Sequence, residues 1–90
     1  MNKSSEIALL TFPCHFPIKV MGNNKQHFQE EITAIAREHI PLLNDNDIKC
    51  TASRTGKYLS ITITITAESR AQLDSLYLAF NAHSAVQMVL

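Results

Sequence analysis

The chain has 90 residues, of which 46% are hydrophobic and 18% charged, so it can form one small globular domain and is too short for a second. Lys plus Arg and Asp plus Glu number 8 each, and this balance gives no net positive charge that would make nucleic acid an expected main partner. The N-terminal sequence has no apolar run long enough for a signal peptide or a membrane span, so we expect a cytoplasmic protein that binds no membrane.

The beginning of the chain shows no periodicity, and regular structure is expected only after it. Residues 1–11 are predicted to form a flexible N-terminal tail, and residues 12–90 a single domain. From Phe16 to Val20 apolar and polar residues alternate, which indicates a strand with one buried face. Pro17 lacks an amide hydrogen, so we expect it at the start of this strand or at a position that makes no ladder bond.

A turn and a helix are predicted to follow the first strand. Gly22 interrupts the alternation, and Asn23 or Asn24 is suited to cap a helix, because its side chain can accept from an unpaired amide of the first turn. Pro41 ends the helix, since the residue before a proline resists the helical conformation. Between these limits apolar residues recur at helical spacing: Phe28, Ile32, Ile35, Ala36 and His39.

Two further strands are predicted to form a hairpin. Residues 48–54 alternate in polarity, a turn containing Gly56 follows, and large apolar residues alternate with serine or threonine through residues 59–66. The strand side chains expected to face the core are Ile18, Val20, Cys50, Leu59, Ile61, Ile63 and Ile65. The opposite sheet face is expected to carry Lys19, Lys49, Thr51, Thr62, Thr64 and Gln87.

A second helix and a last strand complete the pattern. Ser69 and Gln72 have the spacing of a capping box, and apolar residues then recur at helical intervals as far as Phe80. The apolar run at residues 86–90 predicts the last strand. The resulting order, βαββαβ, is typical of an α+β, ferredoxin-like two-layer sandwich, in which two helices cover one face of a four-stranded antiparallel sheet.

Cys14 and His15, set between two prolines, are the first candidates for a catalytic or metal-binding pair. Adjacent residues of an extended chain point to opposite sides, so they are not expected to act together as nucleophile and base. Zinc needs several converging donors, and no short motif joins those available: Cys14, His15, His27, His39, Cys50 and His83. With only 2 glycines, a glycine-rich phosphate loop is excluded. We therefore expect no enzymatic activity, no metal and no cofactor.

The polar sheet face invites comparison with RNA-recognition modules, which have the same element order. Those modules stack bases on aromatic side chains of their central strands, whereas this face is expected to present Lys, Thr and Ser without an aromatic residue, which argues against RNA. Such a face can be solvated or can pair with another copy of the chain. The edge of the second or fourth strand could also join two copies into a dimer, and the pattern leaves these alternatives open.

Four segments of the chain match one known pattern: FPCHFPIKVMG, KYLSITITITAES, QLDSLYLAF and the C-terminal VQMVL. Together they resemble the YbeD-like family of small bacterial cytoplasmic proteins of largely unknown function, from Phe12 to Leu90. The resemblance implies a ferredoxin-like fold similar to the ACT-type regulatory domains that sense amino acids. It also implies a regulator connected with lipoate metabolism.

ACT-like modules bind a small ligand at a subunit interface near the turn from the first strand to the first helix, where a glycine permits close approach. By this resemblance Met21, Gly22 and Asn23 would form the ligand site, and Lys19 could meet a carboxylate. A strand end followed by a helix cap explains the same turn residues without a ligand. We expect a non-enzymatic regulatory or ligand-sensing module that binds a small molecule or a partner enzyme. The alternatives are a protein-interaction adaptor with no small ligand and a thiol redox protein using Cys14.

Overall fold

The computed structural model of the chain describes residues 10–90, and its strands and helices follow one another in the predicted order. The elements are β1 (Cys14–Asn23), α1 (Phe28–His39), β2 (Ile48–Ala52), β3 (Tyr58–Ala67), α2 (Arg70–Asn81) and β4 (Val86–Val89), with a short 3₁₀ turn at Asp45–Asp47 before β2. The strands form one antiparallel sheet in the order β2-β3-β1-β4. Both helices pack on the same face of it, which confirms the predicted two-layer α+β sandwich.

Strand β1 is longer than its alternating core suggested, because it pairs with β3 along its whole length, from Cys14 opposite Ala67 to Asn23 opposite Tyr58. Pro17 lies inside the strand without breaking it. Lys19 exchanges backbone hydrogen bonds with Leu90 on the β4 side, at 3.1 and 2.8 Å. Pro17 faces that same side two residues earlier, where β4 does not pair with β1, so its missing amide hydrogen costs no ladder bond.

The two helices begin in different ways. Ser69 caps α2 as predicted, its hydroxyl accepting from the amide of Gln72 at 3.1 Å, while the Gln72 side chain accepts from the amide of Glu68 at 2.8 Å. The expectation of an asparagine cap on α1 is wrong: the N-cap is His27, which has a left-handed φ of 68° and no capping bond from its side chain. Asn23 and Asn24 instead form hydrogen bonds with the segment before β4 and with the β2–β3 hairpin.

The core lies between the helices and one face of the sheet, here called the covered face. Six of the predicted strand residues are buried there: Ile18, Val20, Leu59, Ile61, Ile63 and Ile65. They pack with Phe28, Ile32, Leu73, Leu76 and Phe80 of the helices. Each large aliphatic side chain buried in this way contributes about 1.5–3 kcal/mol to the free energy of unfolding.

Cys50 is the exception, and its assignment to the core is wrong, because the residue is exposed. It lies in β2, the outer strand of the sheet, and none of the β2 residues is buried. The helices therefore leave the covered side of β2 open. No helix among residues 10–90 is long and apolar enough to cross a membrane. The predicted tail falls largely outside the described residues, although Leu10 is half-buried against the core.

Candidate functional site

The turn from β1 to α1 is closely packed around Gly22, which is buried. A Cβ atom placed on this residue would lie 2.4 Å from the carbonyl oxygen of Ala85 and 2.6 Å from Cζ of Phe28. Both distances are shorter than any real Cβ contact, and the nearer atom belongs to the backbone, which cannot rotate away. The glycine is therefore required by the approach of the β4 side and of α1 within the molecule.

The two asparagines after Gly22 fasten the turn to its neighbours. The amide of Asn23 donates to the carbonyl of Ala85 at 3.1 Å, and its side-chain oxygen accepts from Gln87 Nε2 at 3.0 Å. Asn24 donates from its amide to the carbonyl of Lys57 at 2.9 Å and from its side chain to that of Gly56 at 3.0 Å. The turn thus connects β1 both to the start of β4 and to the β2–β3 hairpin.

The predicted ligand residues do not converge on one pocket. Lys19, Met21 and Asn23 alternate with core residues and so point away from the helices, whereas Gly22 faces them. A depression of about 370 Å³ lies beside the turn, lined by Asn24, Lys25, His27 and the first residues of α1, including Phe28. Phe28 also touches Gly22, so it connects this depression with the packed centre of the turn.

His83, which the sequence offered as one of several unconnected zinc donors, lies in the turn after α2 and contacts α1. Its Nε2 lies 2.8 Å from Oε1 of Glu31 in α1, and its Nδ1 accepts from the amide of Ala85 at 3.1 Å. An amide can only donate, so in the neutral ring Nε2 carries the hydrogen and donates to the carboxylate. The ring also meets Phe28 edge-on, with centroids 5.6 Å apart. Glu31 is 52 residues away in sequence, and no short motif could have revealed the contact.

The sheet face away from the helices, here called the open face, has no layer over it within residues 10–90. Its side chains are His15, Pro17, Lys19, Met21 and Asn23 of β1, Lys49 and Thr51 of β2, Met88 of β4, and Tyr58, Ser60, Thr62, Thr64 and Thr66 of β3. Lys19, Thr62 and Lys49 stand side by side on three neighbouring strands. With strands about 4.8 Å apart, the two lysines are separated by roughly 10 Å at their Cα atoms.

One aromatic residue does lie on the open face, contrary to expectation. Tyr58 begins β3 opposite Asn23 and is 37% exposed. The Lys57 ammonium lies 5.4 Å from the centre of its ring. Two methionines add apolar surface nearby, because Met21 pairs with Met88 of β4, which is 47% exposed. The open face therefore combines two lysines, Lys19 and Lys49, with a small apolar patch.

Charge is distributed unevenly between the two layers. The four strands and the β2–β3 turn contain Lys19, Lys49, Arg54 and Lys57, all exposed, and no Asp or Glu. Every acidic residue between 10 and 90 lies in a helix, in the 3₁₀ turn or directly before α2: Glu30, Glu31, Glu38, Asp45, Asp47, Glu68 and Asp74. A net charge of zero thus hides a basic sheet side and an acidic helical side.

The two cysteines are separate, and both are free thiols. Cys14 is half-buried on the covered side of β1 and His15 is exposed on the open face, which confirms that these neighbours point in opposite directions. Partial burial raises the pKa of the Cys50 thiol. Within residues 10–90 there is no cluster of three or more His, Cys, Asp or Glu side chains that could hold a metal ion.

Comparison with other proteins places the chain among bacterial relatives. The family described as "Protein of unknown function (DUF493)" matches residues 8–90. The UPF0250 protein NE1487 of Nitrosomonas europaea is 44% identical over 86 residues, which is 96% of this chain and 99% of that protein. A UPF0250 protein of Hahella chejuensis is 42% identical over 89 residues, covering 99% of this chain and 98% of the relative.

A solved structure has the same fold. The solution structure of protein HP0495 from H. pylori superimposes with a TM-score of 0.69 and 13% sequence identity, covering 100% of this chain and 94% of the other. At this identity the likeness concerns the fold alone. The resemblance found in the sequence is confirmed, and the chain belongs to the DUF493 (UPF0250) family of bacterial proteins of unknown function, which includes the YbeD-like proteins.

Proposed function

We propose that this chain is a non-enzymatic regulatory module of the bacterial cytoplasm that senses a small molecule beside the turn from β1 to α1. The observation that carries the proposal is the connection of the 370 Å³ depression, through Phe28, to Gly22 and His83. Phe28 lines the depression although its side chain is buried, so a ligand there would press on the point where α1, β1 and the start of β4 meet. Occupancy of the depression could thereby change the packing of the whole domain, as a regulatory module requires.

The class of ligand is proposed from the resemblance to ACT-like domains and from the charges at the turn. Lys25 lines the depression together with His27 and Glu30, and because those two contact each other at 3.2 Å, Lys25 is the cation left for a carboxylate there. The family resemblance adds lipoate and its precursor octanoate to amino acids as candidates. The predicted site of Met21, Gly22, Asn23 and Lys19 stays a prediction: Gly22 would act by letting Phe28 approach, whereas Lys19 and Met21 face away from the depression.

A thermal-shift screen with amino acids, lipoate and octanoate tests this function. A ligand at 100 times its Kd stabilises the folded state by about 2.7 kcal/mol, which raises Tm by roughly 10–20 °C in a domain of this size. Lys25→Ala should reduce the shift, and Lys49→Ala, on the open face, is the matched control that should preserve it. No shift with any of these compounds would reject the sensor and favour the adaptor that binds only a partner protein.

Strand β2 is an edge of the sheet, so a partner protein or a second copy of the chain could pair with it. Ser53 donates to the carbonyl of Tyr58, so by alternation the backbone groups of Cys50 and Ala52 face outward at the edge of the sheet. We propose that two copies pair their β2 strands antiparallel around Cys50. Lys49 of each copy would then stand opposite Thr51 of the other, which avoids apposition of like charges.

This dimer makes a direct prediction about disulfide formation. Cα atoms of a directly opposed, hydrogen-bonded pair lie about 5.5 Å apart, within the range that a disulfide spans. Mild oxidation should therefore cross-link the wild type and the Cys14→Ser variant but not Cys50→Ser. A chain that remains monomeric in sedimentation at all concentrations and forms no Cys50 cross-link would contradict the β2 dimer.

A further inference from the structure

Within residues 10–90 the Lys and Arg side chains of the sheet side form no ion pairs, whereas two of the three on the helical side do, Lys25 being the exception. Arg37 of α1 forms an ion pair with Asp45, and Arg70 of α2 lies 3.9 Å from Asp74. Within residues 10–90, none of Lys19, Lys49 and Arg54 has an ion-pair partner, and Lys57 has only its ring contact with Tyr58. Apart from Lys25, the unpaired Lys and Arg side chains of the described residues thus lie on and beside the open face.

Protection of a sheet edge does not account for this arrangement. A lysine on an outer strand commonly prevents edge-to-edge aggregation, which is a sufficient reason for Lys49 on β2. Lys19 lies on β1, which is flanked by both β3 and β4, and has no edge to protect. Its side chain stands on the open face in the same row as Thr62 and Lys49, beside the Met21 and Met88 pair.

The occupant that fits this surface has acidic and apolar side chains together. A second copy laid face to face would oppose lysines to lysines, which costs binding energy. Carboxylates would find the unpaired lysines, and a large apolar side chain would find the methionines, whose flexible thioethers adapt to varied partners. We propose that the open face is a docking surface for a segment of a partner protein in which acidic residues alternate with large apolar ones.

The proposal rests on the regulatory function in one respect: it names the chemistry of the partner through which such a module would act. The small-molecule depression is lined by the turn after β1 and by α1, whereas the docking surface comprises strand side chains that face away from the helices. The small-molecule site and the docking surface can therefore be tested independently. A ligand-induced Tm shift without peptide binding would keep the sensor and reject the docking surface.

Fluorescence anisotropy with defined probes tests the docking surface. The first probe is a short labelled peptide of alternating Glu and Leu, the second is the same peptide with Gln in place of Glu, and the third is a labelled oligothymidylate. We expect the Glu peptide to bind more tightly than either other probe, and we expect its affinity to fall as salt is added. A Gln peptide that binds equally well, an oligothymidylate that binds more tightly, or no binding of the Glu peptide would each overturn the proposal.

A matched pair of variants locates the binding. Lys19→Glu and Arg70→Glu change the net charge equally, one on the open face and one on α2, and both replace exposed residues. Lys19→Glu should lower the affinity for the Glu peptide by about tenfold or more, and Arg70→Glu should lower it by less than about twofold. Circular dichroism verifies that both variants are folded, and Lys19→Gln serves in place of a charge reversal that fails this check. Equal loss in both variants would show a nonspecific charge effect and reject the surface.

Discussion

The two faces of the sheet are built from the same strands, yet their side chains have different uses. Along β3, the covered face carries Leu59, Ile61, Ile63 and Ile65, all buried, and the open face carries Tyr58, Ser60 and the threonines. The two helices bury most of the covered face along β1 and β3 but leave Cys50 and Ala52 of β2 exposed. The open face contributes charge and a little apolar surface without a covering layer. We conclude that stability resides in one face and that the other is free to take part in binding.

Adjacent residues of β3 give the sharpest test of this division. Ile61→Ala removes a fully buried side chain and should lower the free energy of unfolding by about 2–5 kcal/mol, because a cavity remains in the core. Thr62→Ala, one residue away on the open face, should cost less than about 1 kcal/mol. Urea unfolding followed by circular dichroism measures both. Similar losses in the two variants would contradict the division between the faces.

The two described glycines distinguish close packing from backbone conformation. Gly22→Ala places a methyl group against the Ala85 carbonyl and Phe28, so we expect a loss of about 1–3 kcal/mol as the turn shifts. Gly56 has open space around it but a φ of +78°, so Gly56→Ala should cost about 1–2 kcal/mol from left-handed strain alone. Gly56→Asn, which tolerates that φ, should recover most of the loss, whereas Gly22→Asn should be no better than alanine. Recovery at Gly22 would show that its conformation, not its contacts, matters.

His83 tests whether the helical side depends on a polar contact as well as on apolar packing. His83→Ala removes the bonds to Glu31 and to the amide of Ala85 and should cost about 1–2 kcal/mol. The exposed His15→Ala on the open face is the control and should be nearly neutral. A double-mutant cycle with Glu31→Ala isolates the pair, and a coupling energy indistinguishable from zero would mean that the contact does not contribute.

The smallest expected effect belongs to Cys50, at the margin where the helical layer ends. Partial burial raises the pKa of its thiol above the ordinary 9.0, so the folded state resists ionisation more than the unfolded state does. Well below pH 9.0 the thiol is protonated in both states and this effect is absent. As the pH rises further, the unfolded chain ionises first and stability falls. The wild type should thus lose slightly more stability than Cys50→Ala above pH 9.0, and an equal pH dependence would contradict the shift.

Local sequence patterns predicted the fold because both periodicities in this chain are clear. Isoleucine and threonine alternate through β3, and Ser69 with Gln72 marks the start of α2. The predictions from sequence were wrong where burial depends on the position of a strand in the sheet. Cys50 alternates in step with the core residues, but β2 is an outer strand that the helices do not reach. The N-cap of α1 is His27 and not an asparagine, while the Asn24 side chain donates to the hairpin at Gly56.

The candidate site was less predictable than the fold, since its features depend on residues distant in sequence. The need for glycine at position 22 comes from Ala85 and Phe28, neither of which belongs to its strand. The charge balance in the composition gave no sign of a basic sheet side, because the opposite charges that cancel it lie in the other layer. Lys19 and Lys49 became neighbours only through the pairing of both strands with β3.

The most direct test of the division between the faces is an NMR titration of the full chain with the peptide of alternating Glu and Leu. Backbone amide shifts report which face the probe contacts. We expect the largest changes at open-face positions, led by Lys19, Met21, Lys49 and Thr62, with α1 and α2 little affected. Largest changes in the helices, or shifts spread evenly over both layers, would contradict the claim that the open face is the binding surface.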